Sequence, residues 1–134
     1  MTPIRRDMAT PWLLLVGLCG LIFWQSSGPL PLDTPSPPGL DKIAHAAVYA
    51  LLAWLAARAF ATLPVKRPAG WVPWAAAVFA ALYGLSDEVH QSFVPGRSAD
   101  AWDLLADAAG AAIGALCYRR SNPSHTGGSN AFLR

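Results

Sequence analysis

No charged side chain occurs between Met8 and Trp24, in the run MATPWLLLVGLCGLIFW, and similar silences recur three times further along. From Ile43 to Ala57 the only ionisable side chains are His45 and Tyr49, and after Arg58 the run resumes as far as Leu63. From Pro68 to Ser86 there is again no charge. A last apolar run, Ala108 to Tyr118, reaches back to Leu104 and Leu105 and is interrupted by Asp103 and Asp107. A bilayer span takes about 20 mostly apolar residues, within a range of about 17–25. The expected fold is therefore all-α: a polytopic bundle of four transmembrane helices near residues 8–25, 41–63, 69–90 and 100–118. Composition agrees, since 54% of residues are hydrophobic and only 13% charged. A soluble domain carries about 25% charge. Intrinsic disorder is excluded by the apolar content, and a basic nucleic-acid module by a net charge of +2.

The charges that remain are sorted by side. Arg5 and Arg6 precede the first span, Lys66 and Arg67 separate the second from the third, and Arg119 and Arg120 follow the fourth. In a four-span protein these segments share one face, which the positive-inside rule makes cytoplasmic, with both termini. The other face holds Asp33, Asp41, Asp87, Glu88, Asp100 and Asp103 against Lys42 and Arg97. Trp12, Trp71 and Trp74 fall at the inner interface and Trp24 and Trp102 near the outer one, as an aromatic belt requires. A cleaved signal peptide is the competing reading of the first span, but Pro29 shortly after it suits a cleavage point poorly. Cys19 and Cys117 read as inert buried thiols. Gly28–Gly39, with five prolines, reads as an extended outer loop. Residues 1–120 form one domain; 121–134, rich in Ser, Asn and Gly, are expected to be a disordered tail in which His125 has no role.

Ionisable residues inside a span are costly, so each is a functional candidate. Asp41, His45 and Tyr49 recur every four residues on one face of the second helix, with Lys42 alongside. The third helix ends in Tyr83, Asp87, Glu88, His90 and Gln91, with Glu88 and Gln91 three apart. In the fourth, Asp103 and Asp107 share a face that continues into Gly110 and Gly114, a spacing that admits a second helix closely. The connection Ser92–Ser98 contains a Pro95-Gly96 turn that would return Arg97 over this cluster, and Ser98 or Asp100 can cap the fourth helix. One outward-open pocket, built from the second, third and fourth helices and this loop, is the expectation. Asp87 and Asp100, near helix ends, are expected to be solvated.

The segments DKIAHAAVYALL (Asp41–Leu52) and SDEVHQSFVPGRSADAWDLLADAAGAAIG (Ser86–Gly114) resemble the VanZ-like family of small bacterial membrane proteins. The family pattern falls on Asp41, Lys42, His45, Tyr49, Glu88, Gln91, Pro95, Gly96, Arg97, Ser98, Asp103, Asp107 and Gly110, a match over about residues 41–114. Two departures stand out: Ala46 where an aromatic residue commonly follows the histidine, expected to loosen packing, and Asp107 where many relatives have asparagine. The resemblance implies a multi-pass protein of the bacterial inner membrane. It also implies a link to the cell envelope, since the namesake is associated with glycopeptide (teicoplanin) resistance. His90 lies outside the pattern and reads as a polar helix-end residue.

Six carboxylates, Asp41, Asp87, Glu88, Asp100, Asp103 and Asp107, face only Lys42 and Arg97, so solvent, protons or a bound cation must balance the excess. Three readings stay open. In the first, the pocket acts on an envelope lipid or lipid-linked precursor, with His45, Glu88 and Asp103 as acid/base candidates and Asp41, Lys42, Tyr49, Gln91, Arg97, Ser98 and Asp107 as binding residues. A metal variant uses His45, Glu88 and Asp103 around a divalent cation, with His90 as a further candidate ligand. The second is non-enzymatic, engaging a lipid precursor, a glycopeptide or a partner. In the third, Arg97 and Lys42 pair with Glu88, Asp103 and Asp41 as a purely structural network.

Overall fold

The computed structural model describes residues 7–28 and 37–123, and these contain four helices and no strand. They are α1 (Ala9–Ser26), α2 (Leu40–Phe60), α3 (Trp71–Gln91) and α4 (Ala101–Ser121), coinciding with the expected apolar segments to within three residues at each end. Arg5, Arg6, Asp33, most of the proline-rich loop, His125 and the tail beyond Pro123 lie outside the described residues.

The helix ends follow local chemistry. At α1 the Asp7 carboxylate accepts from the N–H groups of Ala9 and Thr10 at 3.0 and 3.3 Å, and its carboxyl is held below the usual range by Thr10. α2 stops at Phe60 and not at Leu63, and Arg67 folds back to donate to the carbonyls of Phe60 and Leu63 at the helix end. A cation over the last turn also complements the helix dipole. The Pro95-Gly96 turn forms as expected: Arg97 N–H donates to Val94 O at 3.1 Å, with Gly96 at φ +81°, a conformation glycine adopts freely. Asp100, not Ser98, caps α4, its Oδ1 accepting from Trp102 N–H at 2.8 Å.

Successive helices run antiparallel. Lys42 at the start of α2 meets Asp100 and Asp103 at the start of α4, while Ser27 after α1 meets His90 at the end of α3. At the opposite end the Trp12 indole donates to Thr62 at 3.0 Å. The polar residues therefore share one end of the bundle, and Arg58, Lys66, Arg67, Arg119 and Arg120 lie toward the other.

Small residues set the packing. The core contains Ala53, Ala56, Ala57 and Ala59 of α2, Ala76 and Ala80 of α3, and Ala111 and Ala115 of α4. α2 and α4 touch backbone to backbone. A Cβ on Gly110 would stand 2.2 Å from the carbonyl oxygen of Ala46, and one on Gly114 would stand 2.0 Å from that of Ala50. The looser packing expected from Ala46 is thus not found; the helices are in direct contact there.

The outer surface is apolar. Leu13, Val16, Ile43, Leu51, Trp74, Leu82, Leu105 and Leu116 are exposed, so every helix presents large hydrophobic side chains. Such surface needs an apolar partner. By length and composition α1 and α2 can cross a membrane. α3, which ends in Ser86, Asp87, Glu88, His90 and Gln91, and α4, which carries Asp103 and Asp107, are less apolar over the same length.

Candidate functional site

The polar end resolves into two clusters and a cavity, where the sequence predicts a single pocket. The first cluster is a fastening between α2 and α4. Lys42 Nζ contacts Asp41 at 3.0 Å and Asp100 at 2.7 Å, and donates to Asp103 as well. Two of the ammonium's three donors go to Asp100 and Asp103, and Asp41 adds a third ion-pair contact. Lys42 is thereby committed, and Asp103 with it.

The second cluster is buried. His45 Nδ1 stands 2.8 Å from Asp107 Oδ1, and with Asp107 ionised Nδ1 is the donor. His45 Nε2 looks toward Asp103 Oδ2 at 3.8 Å. Glu88 reaches across from α3, where Oε2 accepts the backbone N–H of Asp100 at 2.8 Å and so anchors the start of α4. Tyr49 is buried one turn beyond His45, their rings parallel at 6.5 Å. Gly84 makes room for the group: a Cβ there would meet Asp107 Oδ2 at 3.0 Å and the Tyr49 ring at 3.2 Å. Three oxygens in this cluster, Tyr49 Oη, Glu88 Oε1 and Asp107 Oδ2, are buried without a hydrogen-bond partner. A ring nitrogen of His45 and carboxylate oxygens of Glu88 and Asp107 lie within 4.8 Å of one another. The donor set that the structure gathers thus contains Asp107, where the sequence points to Asp103.

A cavity of about 430 Å³ opens beside His45. Its apolar wall is Leu18, Leu21 and Ile22 of α1 with Ala44 and Val48 of α2. Its polar wall includes Gln25, Asp41, His45, Asp87, Gln91 and Arg97. α1, not α4, completes this space, a role that α1's uniform apolarity does not announce. Arg97 turns to α1, donating to the carbonyls of Gln25 and Gly28 at 3.4 Å each, and not to Glu88 or Asp103. Asp87, expected in solvent, is buried and accepts from Gln91 at 3.0 Å; Gln91 also reaches Ser26 of α1 at 3.4 Å. The i, i+4 spacing of Asp87 and Gln91 carries that signal, whereas the i, i+3 pair of Glu88 and Gln91 does not bond. Ser98 is exposed, and His90 packs at the helix end against Ser27 at 3.0 Å and the Phe23 ring at 4.7 Å.

No curated protein and no solved structure is significantly similar to the chain. The family model described as VanZ/LLP1, however, matches residues 11–122, which takes in α1 as well as the polar end of the bundle. A match over most of the chain, joined to two helices apolar enough to cross a bilayer, makes this a membrane protein that belongs to the VanZ/LLP1 family.

Proposed function

We propose that the protein crosses the bacterial inner membrane four times, with both termini cytoplasmic, and holds the head group of an envelope lipid or lipid-linked precursor at its outer side. The observation that carries this reading is the two-faced cavity: an apolar wall from α1 and α2 meets a polar wall closed by Arg97. An acyl chain suits the first and a phosphate-bearing head group the second, with Arg97 toward the phosphate and Asp41 and Asp87 toward hydroxyls or amines. Lys42 does not share this task, because three carboxylates hold it. The four-span reading draws on apolar side chains exposed on all four helices and on basic residues gathered at the end away from the cavity. A contribution to glycopeptide tolerance extends the same reading, through occupancy by a lipid-linked precursor.

One observation favours a partly structural role for the polar end. The Lys42 cluster and the Glu88 bond to Asp100 tie α2, α3 and α4 together irrespective of any ligand. Asp41 serves both readings, and the other residues divide between them.

Two experiments test the proposal. In intact cells a membrane-impermeant maleimide should label Ser98→Cys and spare Lys66→Cys; equal labelling of both would sink the topology. Native mass spectrometry of protein released from nanodiscs should show a retained phosphate-bearing lipid. Val48→Trp, which fills the apolar wall, should reduce that adduct about tenfold while α-helix content is unchanged. Equal retention by the wild type and Val48→Trp, or no retained lipid at all, would refute the binding reading.

A further inference from the structure

The buried cluster has more acid than the lipid reading uses. Glu88 and Asp107 are 4% and 0% exposed, and among the described residues no lysine or arginine pairs with either. Two carboxylates close together in a low-dielectric site repel unless something positive stands between them. Protons alone serve poorly, because Glu88 Oε1 and Asp107 Oδ2 have no hydrogen-bond partner to receive an added O–H. Each of these carboxylates also has a second oxygen already engaged, to Asp100 N–H and to His45. The oxygens left over belong to the residues whose donor atoms converge within 4.8 Å together with a ring nitrogen of His45.

We propose that His45, Glu88 and Asp107 bind one divalent transition-metal ion, of the Zn²⁺ or Mn²⁺ type, beside the cavity. One imidazole and two carboxylates form a borderline-to-hard donor set that suits such ions, and their two negative charges balance the ion's two positive ones. Small side-chain rotations bring the donors to bonds of about 2.0–2.2 Å. His45 Nδ1 and Asp107 Oδ1 are 2.8 Å apart; on metal binding Nδ1 exchanges this contact for the ion and the imidazole carries its proton on Nε2. Nε2 then faces Asp103 Oδ2, 3.8 Å away, in the usual place of the outer carboxylate that orients a metal-bound histidine. Asp103 is itself held by Lys42, so the fastening between α2 and α4 also steadies the ligand set. Gly84 keeps α3 from filling the space beside Asp107 Oδ2. His45 lines the cavity, so the ion keeps an open side toward it.

The test uses the full chain without a polyhistidine tag, in nanodiscs of zwitterionic lipid, stripped with chelator and titrated with Mn²⁺. Electron paramagnetic resonance should show about one bound Mn²⁺ per chain, displaced by Zn²⁺, with a ¹⁴N coupling from one histidine. Asp107→Asn and Glu88→Gln keep the shape of each side chain and remove its charge, and each should weaken binding by at least about tenfold. His90→Gln should leave binding unchanged. No stoichiometric binding by the wild type, or unchanged affinity in both carboxylate variants, overturns the site. If those variants do not fold, the wild-type spectrum decides alone, and bound Mn²⁺ without ¹⁴N coupling refutes the assignment. The metal readout does not depend on lipid in the cavity, so this site and the lipid reading fail separately.

Discussion

Gly114→Leu is expected to abolish accumulation of the folded protein, and Gly110→Leu to do the same. At each position a Cβ alone would stand 2.0–2.2 Å from a backbone carbonyl oxygen of α2, at Ala50 and Ala46. Backbone cannot rotate aside as a side-chain tip does, so the helices must separate. Overpacking of well-packed sites costs about 1–3 kcal/mol even for a few added methylenes. A leucine at a backbone contact exceeds that range, against a total stability of about 5–15 kcal/mol. Alanine at the same sites should be milder but still damaging, with the double variant Gly110→Ala, Gly114→Ala showing a clear fall in melting temperature. Separation would also undo the chemistry, because Ala46 follows His45 and Gly110 lies one turn beyond Asp107, so the 2.8 Å contact between them depends on the same approach. Size-exclusion profiles and thermal midpoints in detergent measure the outcome. A Gly114→Leu protein with wild-type yield and midpoint would mean that α2 and α4 do not meet as described.

Much of this architecture is legible in the residues because charge-free apolar runs of span length read as helices. A chain that must satisfy its backbone without water becomes helical, and charge-free runs of the right length mark where. That logic places all four helices and explains the small-residue seam of Gly110 and Gly114. It also brings Asp41, Lys42, His45, Tyr49, Glu88, Asp103 and Asp107 to one end of the bundle. What it leaves out is rotation. α1 carries no polar stripe to show which side it turns inward, so its role as the apolar wall of the cavity has no sequence signal. Loop direction is equally silent: the Pro95-Gly96 turn is readable, but the choice of α1 over Glu88 as the partner of Arg97 depends on where the end of α1 happens to lie. Asp87 was readable. Its i, i+4 relation to Gln91 is as strong a signal as the pairs on α2 and α4, although it lies near the helix end.

Glu88 allows folding and ligand chemistry to be pulled apart. Its Oε2 accepts the N–H of Asp100, one of the backbone donors left open at the start of α4, and a carboxylate there also suits the positive end of the helix dipole. Losing a capping acceptor costs about 0.5–2 kcal/mol, and Glu88→Ala also leaves a small void in a buried site. Glu88→Ala should therefore lower the thermal midpoint distinctly and loosen α4 at Ala101, seen as faster amide exchange in its first turn. Glu88→Gln retains an oxygen in the same place and gives up only the charge, worth about 0.3–1 kcal/mol at a helix start. Its midpoint should stay near wild type and its first turn should stay protected. A neutral amide is nonetheless a poor ligand for a divalent ion, so Glu88→Gln should fold well and bind Mn²⁺ weakly, while Glu88→Ala fails at both. Should Glu88→Gln and Glu88→Ala destabilise the protein equally, the charge itself would be the structural element, and the bond to Asp100 would not be what holds α4 to α3.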